Sequence, residues 1–378
     1  MPAALGAAAA VGSHALVLAG AGLHVVLPWW LAFLVFTIAG ERLELSRLAP
    51  RAAGAGTTFA AITGLLVILL LASAVVALRT GARPSRWSDL WPSNNTVGTE
   101  IVFSLRLPRV VLAGLVGMSL AVAGSLMQAL TRNRLAGPSL MGLGPGATLA
   151  ILGAMILGKP SVPELSAISF VGATAGGLLV FAVAAASPRG ATPPRLVLAG
   201  AIVGGLLSSV TGALIFRLQL AEVFLYWTLG GIGTTTWTQI VGVLPLMVTG
   251  LGLSWLLAPS LTVLAAGEER ARALGLHAER VRGLTMLAVL LLAGGAAAAA
   301  GPVGFVGVMI PNLCRTWTGP SVRRLLPIAA LAGALLVVTA DLITRKLIGQ
   351  IIDIPLGVVT AVLGAPCVIW IARSKAQR

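Results

Sequence analysis

LRLPRVVLAGLVGMSLAVAGSLMQALTRNRLAGPSLMGLGPGA, residues 105–147, sets the terms for the whole chain. Across 107–131 one charge, Arg109, interrupts an otherwise apolar or small-residue run, with Arg106 before it and Arg132 and Arg134 after it. About 20 such residues, at ~1.5 Å rise each, cross the ~30 Å hydrocarbon layer of a bilayer. The stretch reads as a membrane-spanning helix, followed by a short basic turn and a Gly/Pro-rich entry into the next apolar run.

The same pattern recurs on both sides of it. Spans are expected near 15–40, 57–79, 107–131, 139–158, 166–187, 195–216, 237–258, 283–300, 303–317, 325–348 and 355–372, eleven in all. Composition agrees: of 378 residues 57% are hydrophobic and 10% charged, against about 25% charged in soluble domains. Too few charges remain to solvate a compact body of this length, so the fold class is an all-α polytopic membrane protein. The net charge of +15 does not indicate nucleic acid, because no basic stripe with interleaved aromatics is present. The 46 glycines suit close helix packing in lipid. Cys314 and Cys367 show no CxxC spacing, which argues against a disulfide framework or a cysteine metal site. No Lys or Arg precedes the first apolar run, so the start does not read as a signal peptide.

Orientation follows from counting basic residues. With residues just before 57 in the cytoplasm and alternation thereafter, the cytoplasmic connections hold 17 of the 26 Lys and Arg and the outer ones 9. That split favours this orientation. Arg106, Arg109 and Arg345 then fall on the outer side. Trp29, Trp30, Trp87, Trp91, Trp237 and Trp370 lie near span ends, where amphipathic rings prefer the interface.

The longest polar connection in the helical array, APSLTVLAAGEERARALGLHAERVR (258–282), faces the cytoplasm. Gly267 and Gly275 punctuate it, and two short helices about a glycine turn fit the pattern. It is either a solvated loop or a docking surface for a cytoplasmic partner. Gly153 to Lys159 matches GxxxxGK, but Pro160 stands where a phosphate-binding loop needs Ser or Thr, and the glycines end a spanning run. The chain is therefore not expected to hydrolyse nucleotide. His14, His24 and His277 are scattered, and no catalytic carboxylate or histidine cluster supports an enzyme.

Asp341, in LLVVTADLITRKL, is the one acidic residue well inside an apolar stretch. An intramembrane carboxylate is a candidate proton or ion site; Arg345, four residues on, can instead neutralise it. Two Gly/Pro-interrupted stretches, LAGPSLMGLGPG (135–146) and AAAGPVGFVGVM (298–309), fall in the two halves of the array. Broken helices of this kind suit a transport pathway.

On RLPRVVLAGLVGMSLAVAGSLMQALTRNRLAGPSLMGLGPGA (105 onward), FLYWTLGGIGTTTW (224–237), AAGEERARALGL (265–276), GPVGFVGVMIPNLCR (301–315) and IPLGVVTAVLGAPCVIW (354–370), the chain resembles the permease subunits of bacterial ABC importers for iron–siderophores, haem and cobalamin. The resemblance runs from about residue 57 to the end. It implies ten helices per subunit, a dimer with itself or a related permease, and two cytoplasmic ABC ATPase subunits that use the ATP. It also implies a periplasmic or lipid-anchored substrate-binding protein. No cofactor or metal bound by this chain is implied, and the location is the bacterial cytoplasmic (inner) membrane. Residue by residue, it points to Arg106, Arg109 and Arg345 as receivers of glutamates on the binding protein. It further implies ATPase coupling through Gly267, Glu268, Ala273, Leu274, Gly275 and Leu276, and a cytoplasmic gate at Thr192, Pro193 and Pro194.

Three features depart from the family. Prolines occupy gate positions where relatives have small hydroxyl residues. Asn312 stands where many relatives have His, so no pH-dependent role carries over. Residues 1–56 are an extension, giving an expected division into 1–56 and a permease domain at 57–378. Within it, 15–40 is read as an eleventh, peripheral span with Met1 outside. The function expected is import of a ferric siderophore or related chelate. The alternative is a proton-coupled secondary carrier using Asp341.

Overall fold

The computed structural model describes residues 55–81, 87–90, 97–158, 162–186, 193–219, 231–233, 235–347 and 355–376. The expected span at 15–40 lies outside the described residues, as does Thr192. Every regular element among the described residues is helical. In chain order they are α1 (Ala55–Arg79), α2 (Val97–Thr131), α3 (Leu143–Leu157), α4 (Val162–Ala185), α5 (Pro193–Leu218), α6 (Trp237–Ala266), α7 (Glu268–Ala273), α8 (Ala278–Ala300), α9 (Val306–Thr318), α10 (Val322–Leu347) and α11 (Leu356–Ala376). The segments expected between 57 and 372 all fall on these helices. Seven of the described helices are long and apolar enough to cross a membrane, and α3 and α11 carry shorter apolar runs.

Two boundaries differ instructively from the sequence reading. α2 begins at Val97 rather than near 107, with Ile101–Arg106 wound as a π-helix. Pro108 has no N–H to give the carbonyl four residues back, so the ladder widens just before it instead of breaking. At the other end, α6 passes through Pro259 to Ala266, because Leu261 and Leu264 continue its buried face. The polar connection read at 258–282 therefore shrinks to 267–277, and its second expected short helix is the first turn of α8.

The long helices α2 and α10 form the buried centre, whereas α1, α5 and α6 turn much of their apolar surface outward. Without water in the lipid, burial of apolar area does not drive helices together, so close backbone approach must. α2 meets α10 where Gly117 faces Gly333, and meets α9 where Gly124 faces Gly307. In each pair a Cβ on the α2 glycine would overlap the partner's carbonyl oxygen. α3 and α4 touch similarly through Gly142, Gly146, Gly172 and Gly176. The two Gly/Pro-interrupted stretches lie against each other: Gly307 abuts Pro138, and Gly137 abuts the Val308 side chain.

Candidate functional site

At the end of the array expected to face outward, three helices are tied by arginines. α1 ends at Arg79, and its last-turn carbonyls have no partner within the helix. Arg345 Nη1 donates to the Ala77 carbonyl at 3.0 Å, and Arg106 Nη1 to that of Leu78 at 2.8 Å. Cations at a helix C-terminus also complement its dipole. Asp341 offsets part of this positive cluster, and Asp89 acts on Arg106. Asp341, 1% exposed on α10, accepts from Arg109 Nε at 2.8 Å, with Arg109 Nη2 2.7 Å from the same Oδ1. Its Oδ2 lies 2.5 Å from Arg345 Nη2.

The expected Asp341–Arg345 pair is thus half of a three-residue cluster whose other member, Arg109, lies 232 positions away. The three arginines named for docking are brought together, but not equivalently. Arg106 is buried and the Arg345 side chain is 6% exposed, while that of Arg109 is 23% exposed. Nearby, the Arg79 guanidinium stacks 3.9 Å over the Trp87 ring, an aromatic anchor at the same membrane face.

At the cytoplasmic end, α7 is closed by a Schellman motif. Leu276 N–H donates to the Ala271 carbonyl and Gly275 N–H to that of Arg272, both at 2.9 Å, with Gly275 at φ +76°. Leu276 packs against the apolar core to which buried Ala271 belongs, and apolar packing at this position frequently accompanies such a cap. Gly275 is thus required by backbone conformation. Within this chain the space around it is open. Glu268 bridges Arg272 at 2.8 Å and Arg282 at 2.7 Å, and Arg282 reaches Glu279 at 2.8 Å. Burial alone raises the Glu268 carboxyl, but the hydrogen bonds and charges of Arg282 and Arg272 outweigh it and hold it below the usual carboxylate range. A depressed folded-state value means that this tie is present at neutral pH and lost as pH falls through it. The turn thus held presents Ala273, Leu274 and Gly275 outward, with Leu274 69% exposed.

Two further contacts set this turn's position, and the sequence reading missed both. Arg132, in the left-handed conformation at the end of α2, donates from Nη2 to the Leu264 carbonyl in the last turn of α6. Asn312 Nδ2 donates to the Arg134 carbonyl at 2.6 Å and to that of Val308 at 2.8 Å, pinning the basic turn to α9. Asn312 therefore serves as a neutral tether here. Replacing it with Ala is expected to release the Arg134 turn from α9 and cost about 0.5–1.5 kcal/mol. Thermal unfolding of the detergent-solubilised protein checks this, with Asn312→His as the companion that retains a donor. Of the gate residues, Pro193 opens α5, where its fixed φ suits a first helical position, and Pro194 is exposed.

Comparison with known proteins places the chain among importers. The model of the FecCD transport family matches residues 64–374. A second model, of a domain of unknown function (DUF8744), matches residues 2–86. The chain is 41% identical over 274 residues to the Fe(3+)-citrate import system permease protein YfmD of Bacillus subtilis, covering 72% of this chain and 81% of that protein. It is 38% identical to the vitamin B12 import system permease protein BtuC of Vibrio cholerae, over 81% of this chain and 92% of that one. A solved metal-chelate type ABC transporter in an inward-facing conformation superposes with a TM-score of 0.74 at 27% identity, covering 83% of this chain and 99% of that chain.

Proposed function

Since the chain belongs to the FecCD transport family, and so is a multi-pass permease subunit of an ATP-driven importer in the cytoplasmic membrane, we propose that its cargo is an iron chelate of the citrate or siderophore class. The family match over 64–374 carries this reading. The 41% identity to a ferric-citrate permease favours iron among the family's cargoes. The permease domain is taken as 57–378, with 1–56 as an extension and the gate at Thr192, Pro193 and Pro194. ATP is hydrolysed by two separate ABC ATPase subunits seated on the 267–276 turn. That turn is rigid by its Schellman cap and ion pairs, and it offers an apolar knob, Leu274, to a partner. A periplasmic or lipid-anchored binding protein delivers the chelate to the outer arginine cluster of a permease dimer. Arg109 is the least buried member of that cluster. The alternative reading, a secondary carrier protonated at Asp341, has no support from the relatives. Asp341 instead holds two arginines from two helices.

The test is uptake into proteoliposomes containing the permease with its ATPase and binding protein. Ferric citrate, a ferric hydroxamate, haem and cobalamin are offered in turn. Uptake of an iron chelate that needs ATP and survives collapse of the proton gradient is the expected result. Uptake driven by an imposed proton gradient without ATP would sink the importer reading, and transport of cobalamin alone would remove the iron assignment.

A further inference from the structure

We propose that Asp341 is the positioning residue of the outer docking site, aiming Arg109 at an acidic partner surface. This deepens the docking reading above and rests on it. The three arginines differ in what already engages them. Arg345 has Nη1 on the Ala77 carbonyl and Nη2 against Asp341, and its side chain is 6% exposed. Arg106 is buried with Nη1 on the Leu78 carbonyl. Both belong to the scaffold that caps α1. Arg109 differs: Nε and Nη2 converge on one carboxylate oxygen, a single edge of the planar guanidinium. The other edge, with Nη1, makes no bond among the described residues, and the side chain is 23% exposed. A guanidinium offers five donors in a fixed fork. Anchoring one edge therefore fixes the direction in which the opposite edge faces.

The carboxylate does a second job. Arg109 and Arg345 arrive from different helices at opposite oxygens of the same group, and without its charge they repel each other. Arg109 would then be free to extend along its aliphatic stem away from the cluster, toward the polar boundary of the bilayer. Held by Asp341, it has already lost the rotamer freedom that a docking partner would otherwise have to remove.

This assignment has a sign that net charge does not share. Asp341→Asn makes the outer face one unit more positive, so long-range attraction alone speeds association of an acidic partner. Positioning predicts the reverse, weaker docking by about tenfold through faster dissociation.

The experiment is a double-mutant cycle of Arg109→Ala and Asp341→Asn in the permease–ATPase complex in nanodiscs. Association and dissociation rates of the purified cognate substrate-binding protein are read, with thermal stability alongside. The expected result is that either single change weakens docking about tenfold and the double change is no worse than Arg109→Ala. Additive losses, or docking by Asp341→Asn that is unchanged or faster, would overturn the positioning role and leave Arg109 as a docking residue. Unchanged docking by Arg109→Ala would remove the docking reading itself. Should Asp341→Asn fail to assemble, the cycle is run with Asp341→Glu, which keeps the charge and displaces the oxygens. The same non-additivity is expected, and additivity overturns the proposal.

Discussion

Leucine in place of Gly124 is expected to prevent native packing of the permease, destabilising it by about 3 kcal/mol or more. The backbone of α2 approaches that of α9 so closely here that even a Cβ would overlap the Gly307 carbonyl oxygen. The obstacle is backbone, which no rotamer change can move aside. Relief requires the two helices to separate, and each loses dispersion contacts that lipid tails do not specifically restore. Gly114 is the internal control: it lies on the same helix and nothing stands within 4 Å of a Cβ built there. Gly114→Leu should keep the wild-type melting temperature and size-exclusion profile, while Gly124→Leu aggregates or melts early. Indistinguishable melting of the two variants would refute the close-approach account of this fold.

The second large effect is expected at Leu274. A Glu there should leave the permease as stable as the wild type, since a side chain 69% exposed packs little against its own chain. ATP-driven uptake and retention of the ATPase should nevertheless fall at least about tenfold, because a carboxylate covered by a partner at an apolar position loses its hydration without gaining a counter-ion, a cost above ~1.4 kcal/mol. Co-purification of the ATPase, measured beside uptake, separates lost docking from lost coupling. Wild-type values for both would return 267–276 to the status of a solvated loop. Gly275 is the poorer probe, because its φ of +76° strains any side chain whether or not a partner sits there.

Several features of these sites were legible in the residues. A glycine after the GEERARAL run marks a helix end, and the structure places the Schellman cap at Gly275. Asp341 and Arg345 at i and i+4 announce a pair on one helix face, and they form one. What escaped was every contact whose partner lies far along the chain or is a backbone carbonyl. Arg109 with Asp341, Arg132 with the Leu264 carbonyl and Asn312 with the Arg134 carbonyl are invisible to spacing rules. Arg109 and Asp341 did carry a faint signal: opposite charges set in two apolar runs.

The sequence by itself determined the solvent this chain lives in and the order of its helices. Each follows from local composition, because a bilayer penalises unpaired backbone and charge within a single segment, whatever its neighbours. Tertiary structure alone decided which glycines touch, which of the three arginines is least buried, and why Asp341 is tolerated in an apolar helix. Gly114 and Gly124 are the same residue on the same helix, yet one faces open space and the other faces the backbone of α9. Composition is a property of one helix, whereas close approach and charge pairing belong to two helices at a particular separation and rotation.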